Sequence, residues 1–598
     1  MPRFAQDQQD QRTPQIDGDR FFLGLNMQMD PGLLPEGFIS KGENCRIEDG
    51  TVGARRNHIG LTWTNLPGDS NANPTSQGAT YEAKLFSQPG GTEYVVLATA
   101  AASHSCKQGN HAVASAYPSG VTLAANVRMI QAFDKMYMLR GEETGSEPIV
   151  WDGIPGHAWK LVDQTEPGGG QLAFPNSKNG TYFQGRLCLI RDRDSFIVSD
   201  AFSDTAFNIA NEYFVNRGAD DTLVHLHPYG TQRLLAFKNQ SIWLISNFFG
   251  DLSAIRGDVI TTEVGCVAAD TVVTVGQDVL FLSDKGVYSI RQAFDEKLEA
   301  GTEPISEPIQ PLIDRIIWDQ VEWATATFHN NRYYLSVPMF GEQTLSSENV
   351  VTLVYNFTNK AWESMDTNLF TESVNEPFFN PRKLVRADLL GHKELILADY
   401  DGYLSAYAWG IGPDGEDQRD AAGNSTFMLS TVETRGYGGR DPQHSKALYA
   451  TVSTSHWWPQ YAVLARSEGV NENQVLDGDT TAGNLDKHFA TSTFSNTAYR
   501  TFGTAAFDVT NTSLDHRNAY REDYGIALDD DATGVFLMNG GADTGVDFDL
   551  HQETQLSYRM KRFGRYVQLR LFSRGGVFDI KGVKMESSRA RRGALERV

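Results

Sequence analysis

The chain has 598 residues, 40% of them hydrophobic and 11% aromatic, with 55 glycines; that composition fills cores and excludes disorder as a whole. Its 52 Lys and Arg stand against 75 Asp and Glu, a net charge of −23, which opposes stable nucleic-acid binding yet suits a conduit that DNA must slide through. Four scattered cysteines (Cys45, Cys106, Cys188 and Cys266) contain no C-x-x-C pair, which excludes a disulfide scaffold and fits a protein made in a reducing cytosol.

Residues 1–20 are polar and carry no signal-peptide pattern, and no run approaches eighteen consecutive apolar residues. After them, Asp30-Pro31 and Pro35-x-Gly37 are turn formers. Residues 1–61 are therefore expected to run as an extended arm with two bends, poor in core residues. Such an arm packs on a neighbouring subunit, returns to the distal domain, or closes a ring.

Over residues 62–415 short strands alternate with tight turns. Met129–Phe133 and Met136–Arg140 flank Asp134-Lys135; Thr181–Phe183 and Leu187–Ile190 flank Gln184-Gly185-Arg186. Leu234–Phe237 pairs with Ser241–Ile245, Val272–Val275 with Val279–Leu282, and Thr325–Phe328 with Tyr333–Val337. Strand centres near Leu97, Met138, Leu189, Phe237, Phe281, Leu335 and Leu397 recur at intervals of roughly 40–60 residues, the period of propeller blades. The expectation is an all-β chain with a β-propeller of six or seven degenerate blades. One exception interrupts it: Pro308–Trp318 places Ile309, Leu312, Ile313, Ile316 and Ile317 on one helical face and predicts a short helix between blades.

Gly412–Asn424 reads as a linker. Residues 416–598 then form a separate β domain, with strands at Leu448–Ser453, Ala462–Ala465 and Tyr566–Phe572 and long polar loops at 469–496 and 528–547. From Leu556 onward twelve basic residues stand against three acidic ones, a basic end that suits docking on an acidic neighbour.

Chemistry is sparse. There is no G-x-S-x-G elbow, no P-loop and no H-E-x-x-H. Asp192-x-Asp194 and Asp529-Asp530-Asp531 lack the Gly and Glu of a calcium loop and read as solvated loop acids. His225-x-His227 alternates along a strand, so both rings share a face, but no third ligand is in view. Cys106 lies between His104 and His111 with no carboxylate or second cysteine to complete a metal set. The residues predict no catalytic group, no cofactor and no metal. A propeller glycosidase would carry S-x-D-x-G-x-x-W turns; Ser283-Asp284-Lys285-Gly286 has the wrong spacing and no tryptophan. A carboxylate pair drawn from distant blades stays open.

The most specific string opens the chain. Phe22-x-Gly24-Leu25-Asn26 leads to Asp30-Pro31-x-x-Leu34-Pro35-x-Gly37-Phe38, then to Glu43-Asn44-x-Arg46-x-x-Asp49-Gly50, Arg55-Arg56 and Gly60-Leu61. It resembles the opening of the tail nozzle (tail tubular protein B-like) family of short-tailed bacteriophages. Val354-Tyr355-Asn356 with Ala361-Trp362-Glu363 is similar to that family's blade ending, and Glu433-Thr434-Arg435 and Arg565-Tyr566-Val567-Gln568-Leu569-Arg570 resemble strands of its terminal domain. Arg56 and Gly60 are separated by three residues, where the family has R-x-G.

The resemblance implies a structural virion protein, made in the host cytoplasm, that extends the DNA ejection channel below the adaptor. It implies a homo-hexamer seated on the tail adaptor ring, with tail fibres or spikes and the host envelope as neighbours and genomic DNA passing through an acidic lumen. The C-terminal domain with its basic tail would form the tube wall. Gly24, Asn26, Asp30, Pro31, Leu34, Pro35, Gly37, Asn44, Arg46, Gly50, Arg55, Gly60, Arg565 and Tyr566 are the expected assembly residues. The alternative is a propeller glycosidase or carbohydrate-binding tail protein acting on host surface polysaccharide.

Overall fold

A computed structural model describes residues 15–55, 58–61, 79–107, 113–123, 127–143, 145–163, 171–248, 252–291, 303–339, 351–367, 381–388, 393–400, 402, 404–407, 429–438, 445–457, 461–467, 474–477, 527–528, 536–537, 554–564, 566–574 and 578–589. Within them, alternating β-branched and aromatic residues form strands wherever a turn reverses the chain. Several of those turns are two residues long with both residues left-handed, the geometry that matches the twist of a hairpin. Asn330 and Asn331 adopt φ +46° and +57°, and Gln184 and Gly185 +50° and +73°. In the first predicted hairpin the turn falls at Phe133-Asp134, one residue before the expected Asp134-Lys135, because Ala132 pairs with Lys135. The edge of Phe133 packs on Tyr182 of the next blade.

Among the described residues these hairpins build seven blades, each a small antiparallel sheet. Their innermost strands are Thr80–Ser87, Arg128–Ala132, Gly180–Phe183, Leu223–Tyr229, Val273–Val275, Thr325–His329 and Pro381–Asp388. All seven strand centres read from the sequence lie on the second strand of a blade and are fully buried. The seventh blade is completed by His58–Leu61, which pairs antiparallel with Leu404–Tyr407. The start of the chain thus supplies the last strand of the ring.

Neither face of such a blade can be left in water, and each is covered by the next blade. Phe86 and Val96 meet Met136 and Trp151 between blades 1 and 2. Tyr137 and Leu139 meet Leu189 and Phe207, Phe196 and Val198 meet Leu234 and Ile245, and Phe237 meets Phe281. Blades 5 and 6 join through Leu280, Tyr333 and Leu335, and blades 6 and 7 through Tyr334, Val354, Leu384 and Leu397. Ile396 and Leu404 on Val95 and Leu97 close the circle.

Apart from a two-stranded pair, Ala527–Leu528 with Phe536–Leu537, the remaining strands form two sheets that mix both chain ends. In one, Phe38–Glu43, Leu429–Thr434, Val567–Arg574, Tyr461–Ser467 and Gln474–Asp477 lie in that order. It is continuous with blade 6, where Glu43 pairs with Met365. In the other, Cys45–Glu48, Thr51–Ala54, Phe578–Arg589, Ser445–Trp457 and Thr554–Gly564 follow one another, and Gln15–Asp19 runs alongside Phe578–Arg589. Ile39, Val432 and Leu569 of the first sheet share one core with Val52, Val452 and Ile580 of the second and with Leu353 and Trp362 of blade 6.

Two expectations are corrected here. The opening segment is not poor in core residues, since Phe22, Leu25, Leu34, Ile39, Cys45, Ile47 and Val52 are all buried. The helix over Pro308–Trp318 shrinks to a 3-10 turn at Glu307–Ile309 and one α turn at Gln310–Ile313. Ile316 forms a bridge with Met339 and Ile317 is extended, which stops the helix. Its apolar face is nonetheless correct, because Ile309, Leu312, Ile313 and Ile316 are buried. Gly412–Asn424 and Asp529-Asp530-Asp531 lie outside the described residues, as do most of loops 469–496 and 528–547.

Candidate functional site

Two polar clusters stand out against this apolar frame. The first lies where the opening segment, blade 6 and the C-terminal strands meet. Asn44, held at φ +48°, exchanges hydrogen bonds with Thr367: its Nδ2 donates to Thr367 Oγ1 at 3.2 Å, and its Oδ1 accepts from Thr367 N at 3.0 Å. Its carbonyl accepts from Arg55 N and from Ser430 Oγ, both at 2.8 Å. Arg55 then reaches into blade 6, with Nη2 donating to Ser364 Oγ at 2.6 Å and Nε 2.7 Å from Asp366 Oδ2.

Glu363 is the centre of this cluster. It accepts from Arg332 Nε at 2.6 Å and from the backbone N–H of Ile47, and Arg55 Nη1 stands 3.8 Å away. The Glu363 side chain is fully buried and those of Arg55 and Asp366 nearly so. Burial pushes the Asp366 carboxyl up, against the opposing pull of Arg55 and Ser364. A buried carboxylate pair facing two guanidiniums is tolerable because backbone and hydroxyl donors satisfy it as well.

The other signature residues build the same joint. A Cβ on Gly24 would stand 2.4 Å from Ala361 Cβ, so only glycine lets this strand lie against blade 6. Asn26 Oδ1 caps the N–H groups of Gln28 and Met29. Asp30 Oδ1 accepts from Gly32 N at 2.8 Å, and Pro31 O accepts from Gly436 N at 2.7 Å. The Tyr566 ring lies over Gly32 and Gly436, and a Cβ on either would come within 2.5 Å of it. Leu34 is buried, and Pro35 O accepts from Phe38 N. Gly37, at φ +90°, donates its N–H to Asp19 Oδ1 at 3.1 Å. Gly50 completes a left-handed turn with Asp49, and its carbonyl accepts from Phe22 N. Arg46 pairs with Glu48 near the surface, at 3.2 Å. Gly60 sits opposite Ser405 in blade 7, and Arg565 lies outside the described residues.

Sequence reasoning missed the lock beside this joint. Asp19 accepts from Arg435 Nε at 2.8 Å and from the Tyr437 hydroxyl at 2.7 Å, while Asp17 accepts from Arg435 Nη2 at 2.8 Å. Two aspartates spaced i, i+2 share one face of a strand. That spacing was the available signal.

The second cluster crosses the propeller axis. In each blade the chain runs outward from the innermost strand, blade 3 adding Gln171–Leu172 at its outer edge, so the innermost strands run in the same sense and residues near their starts share a level. Glu82 of blade 1, Arg128 of blade 2, Lys383 of blade 7 and Asp270, just before the first strand of blade 5, meet there. Arg128 Nη1 lies 3.3 Å from Glu82 Oε2 and Lys383 Nζ 3.4 Å from the same oxygen. Both cations also contact Asp270 Oδ2.

Burial opposes ionisation of Glu82, but Lys383 and Arg128 outweigh it and hold its carboxyl below the usual range. Burial and the Arg128 charge pull Lys383 the other way, down to about 7. These two directions conflict. The contact of the ammonium with both carboxylates decides for the ionised pair.

His225 and His227 of blade 4 face the same axis, with ring centroids 5.8 Å apart. Asn179 Nδ2 lies 3.0 Å from His225 Nδ1 and 2.9 Å from the carbonyl of Val224, and His227 Nε2 lies 2.7 Å from Thr274 Oγ1. Burial, with the nearby Lys84 charge, pushes His227 down to about 4; burial, His227, Lys84 and Arg128 push His225 well below its usual value. Both imidazoles are neutral at pH 7. No group of three or more His, Cys, Asp or Glu able to hold a metal ion occurs among the described residues. Asp194 of the other sequence candidate pairs with Lys238 at 3.1 Å. Cys106 is buried and free.

No family model matches the chain, and no curated protein matches it either. Solved structures do. BamB from Moraxella catarrhalis is 8% identical with a TM-score of 0.32, covering 57% of this chain and 98% of that one. Virginiamycin B lyase from Staphylococcus aureus is 9% identical, with a TM-score of 0.31, 57% of this chain and 96% of that one covered. A streptogramin B lyase gives 11%, 0.32, 56% and 95%. These are propeller proteins, and at such identities the likeness concerns the fold alone.

Proposed function

We propose that the chain is a structural virion protein, the tail nozzle of a short-tailed phage. In this reading six copies form a ring below the adaptor and extend the channel through which the genome leaves. The observation that supports it most directly is the use made of the opening signature. Asn44 and Arg55 bind the opening segment to blade 6, Gly24 packs it there, and Asp30, Pro31 and Tyr566 fasten it to the C-terminal strands. The result is one stiff body built from both ends of the chain, with the propeller attached along a continuous sheet. A tube wall that must hold pressurised DNA needs that stiffness.

The two-sheet body would supply the wall and the propellers would radiate outward, their loops meeting fibres, spikes or the host envelope. The net charge of −23 fits a lumen that repels phosphate and lets DNA pass. The signature residues act in this reading by assembly, not catalysis.

The test is molar mass by light scattering, with electron-microscope images, of the purified protein alone and mixed with adaptor rings. Ring-shaped hexamers with a central hole, spontaneous or on the adaptor, are the expected result. A strict monomer in both conditions would overturn the reading, as would a lumen lined mainly by Lys and Arg.

A further inference from the structure

The axial cluster contains more positive charge than its own carboxylates consume. Arg128 and Lys383 are matched by Glu82 and Asp270, two cations against two anions. Lys84 stands two residues beyond Glu82 on the same innermost strand, hence on the same face. It is exposed and forms no ion pair among the described residues. Its ammonium is close enough to both imidazoles for its charge to depress their proton affinity.

The imidazoles add directed donors. The Asn179 amide has two N–H bonds, one aimed at the Val224 carbonyl and the other at His225 Nδ1. His225 Nδ1 is therefore an acceptor, and in the neutral ring the hydrogen sits on Nε2. No partner for Nε2 occurs among the described residues. Thr274 occupies His227 Nε2 and leaves the Nδ1 side of that ring open.

Among the described residues, the groups gathered at this axis are Glu82 and Lys84 from blade 1, Arg128 from blade 2, Asn179 from blade 3, and His225 and His227 from blade 4. Asp270 and Thr274 from blade 5 and Lys383 from blade 7 join them. With the carboxylates already saturated, one unmatched ammonium and one free imidazole N–H remain. That combination repels cations and matches a tetrahedral oxyanion, whose several oxygens accept charge-assisted bonds from separate donors.

We propose that the propeller axis is a binding site for a phosphate group, held by the Lys84 ammonium and the His225 Nε2–H above a charged floor of Glu82, Arg128, Asp270 and Lys383. The group comes either as the free ion or as a phosphomonoester on a saccharide. An anion beside the imidazoles opposes the burial and the Lys84 charge that keep them neutral. Binding at mildly acid pH therefore raises the proton occupancy of the imidazoles, while the Lys84 ammonium favours the phosphate dianion and draws a proton off the ligand. The site does not depend on the virion reading, because it lies within one propeller; a monomeric protein would bind equally well.

The experiment is calorimetric titration of the full-length protein with inorganic phosphate and with glucose 6-phosphate, with glucose and chloride at matched ionic strength as controls. Running it at pH 6 in two buffers of different ionisation enthalpy counts the net protons exchanged by the site and the ligand together. Saturable binding of at least one phosphate compound and about ten-fold or greater weakening in Lys84→Met with recovery in Lys84→Arg are expected. Tighter binding of the sugar phosphate identifies a carried group; equal or tighter binding of inorganic phosphate identifies the free ion. Lys84 is exposed, and an unchanged thermal melt of Lys84→Met certifies its fold. Binding of neither compound, or binding indifferent to Lys84→Met, overturns the proposal.

Discussion

Around Glu363, two guanidiniums and two carboxylates meet inside a joint where backbone N–H groups, Ser364 and Thr367 also take part. Across the propeller axis, Arg128, Lys383, Glu82 and Asp270 make an ion quartet of the same charge balance, one guanidinium and one ammonium against two carboxylates, drawn from four blades. The difference lies in what surrounds each. At the joint, charge and backbone bonds serve the same end, holding the opening segment on blade 6. At the axis the quartet is self-contained, and Lys84, His225 and His227 stand next to it with capacity left over. A saturated cluster marks a structural joint, and an unsaturated one at the axis marks a place for something else.

The largest expected effect comes from breaking the joint at its centre. Glu363→Ala leaves Arg332 and Arg55 buried without their shared carboxylate, an uncompensated charge that costs about 3–5 kcal/mol. Denaturant unfolding measures it directly. Glu363→Gln keeps part of the hydrogen bonding and loses less. If Glu363→Ala costs no more than a surface substitution, the joint is not what holds the segment.

Steric crowding tests the same joint without touching charge. In Gly32→Ala the new methyl would stand 2.5 Å from Tyr566 Cδ1, and the ring must move for it to fit. The expected cost is about 1–3 kcal/mol. The double variant Gly32→Ala with Tyr566→Ala should recover part of it, a non-additivity that thermal melts in parallel would show. Simple addition of the two losses would mean that the ring and the glycine do not meet.

How much of this was legible in the sequence follows the same division. Hairpin spacing placed all seven blade centres because each second strand is a run of fully buried residues, a local signal. Gly24, Asn44 and Arg55 were singled out, but their partners Ala361, Thr367 and Ser364 lie some three hundred residues away in blade 6. No local pattern announces such pairs. The helix at Pro308 was overextended because its apolar face is real while its end is set by the bridge from Ile316 to Met339. The axial cluster stayed hidden because Glu82, Arg128, Asp270 and Lys383 each look like a stray charge in an apolar strand or turn. Only ring closure puts them at one level. His225-x-His227 was seen as a pair sharing one face, but its partners Asn179 and Thr274 come from the neighbouring blades 3 and 5 and leave no local pattern.

Acid should act on the axis first. His227 is pushed down to about 4 from an ordinary 6.5, and His225 is lowered as well. A lowered imidazole binds fewer protons in the folded than in the unfolded state between those values. Stability therefore falls as pH drops from about 6.5 towards 4, by about 3 kcal/mol from His227 alone and further with His225. Unfolding free energies across that window should be flatter in His225→Asn/His227→Asn than in the wild type. Phosphate should also reduce the wild-type loss if the axial site is occupied. Equal slopes in both proteins would place the acid-sensitive groups elsewhere.

The smallest effect carries the sharpest contrast. Lys84 is a cation in a cluster of ions, as Arg55 is, yet it pairs with nothing among the described residues and is exposed. Lys84→Met should therefore change stability at pH 7 by no more than about 0.5 kcal/mol, the range of surface substitutions. Near pH 5 the sign should turn favourable. Removing the ammonium lifts one of the causes that lower both imidazoles, so the folded state takes up protons more readily and loses less on acidification. Burial remains the larger cause, so the acid window narrows without disappearing. A variant as destabilised at pH 7 as one broken at Glu363 would show that Lys84 is a fifth member of the quartet, and the distinction between a saturated and an unsaturated cluster would fall.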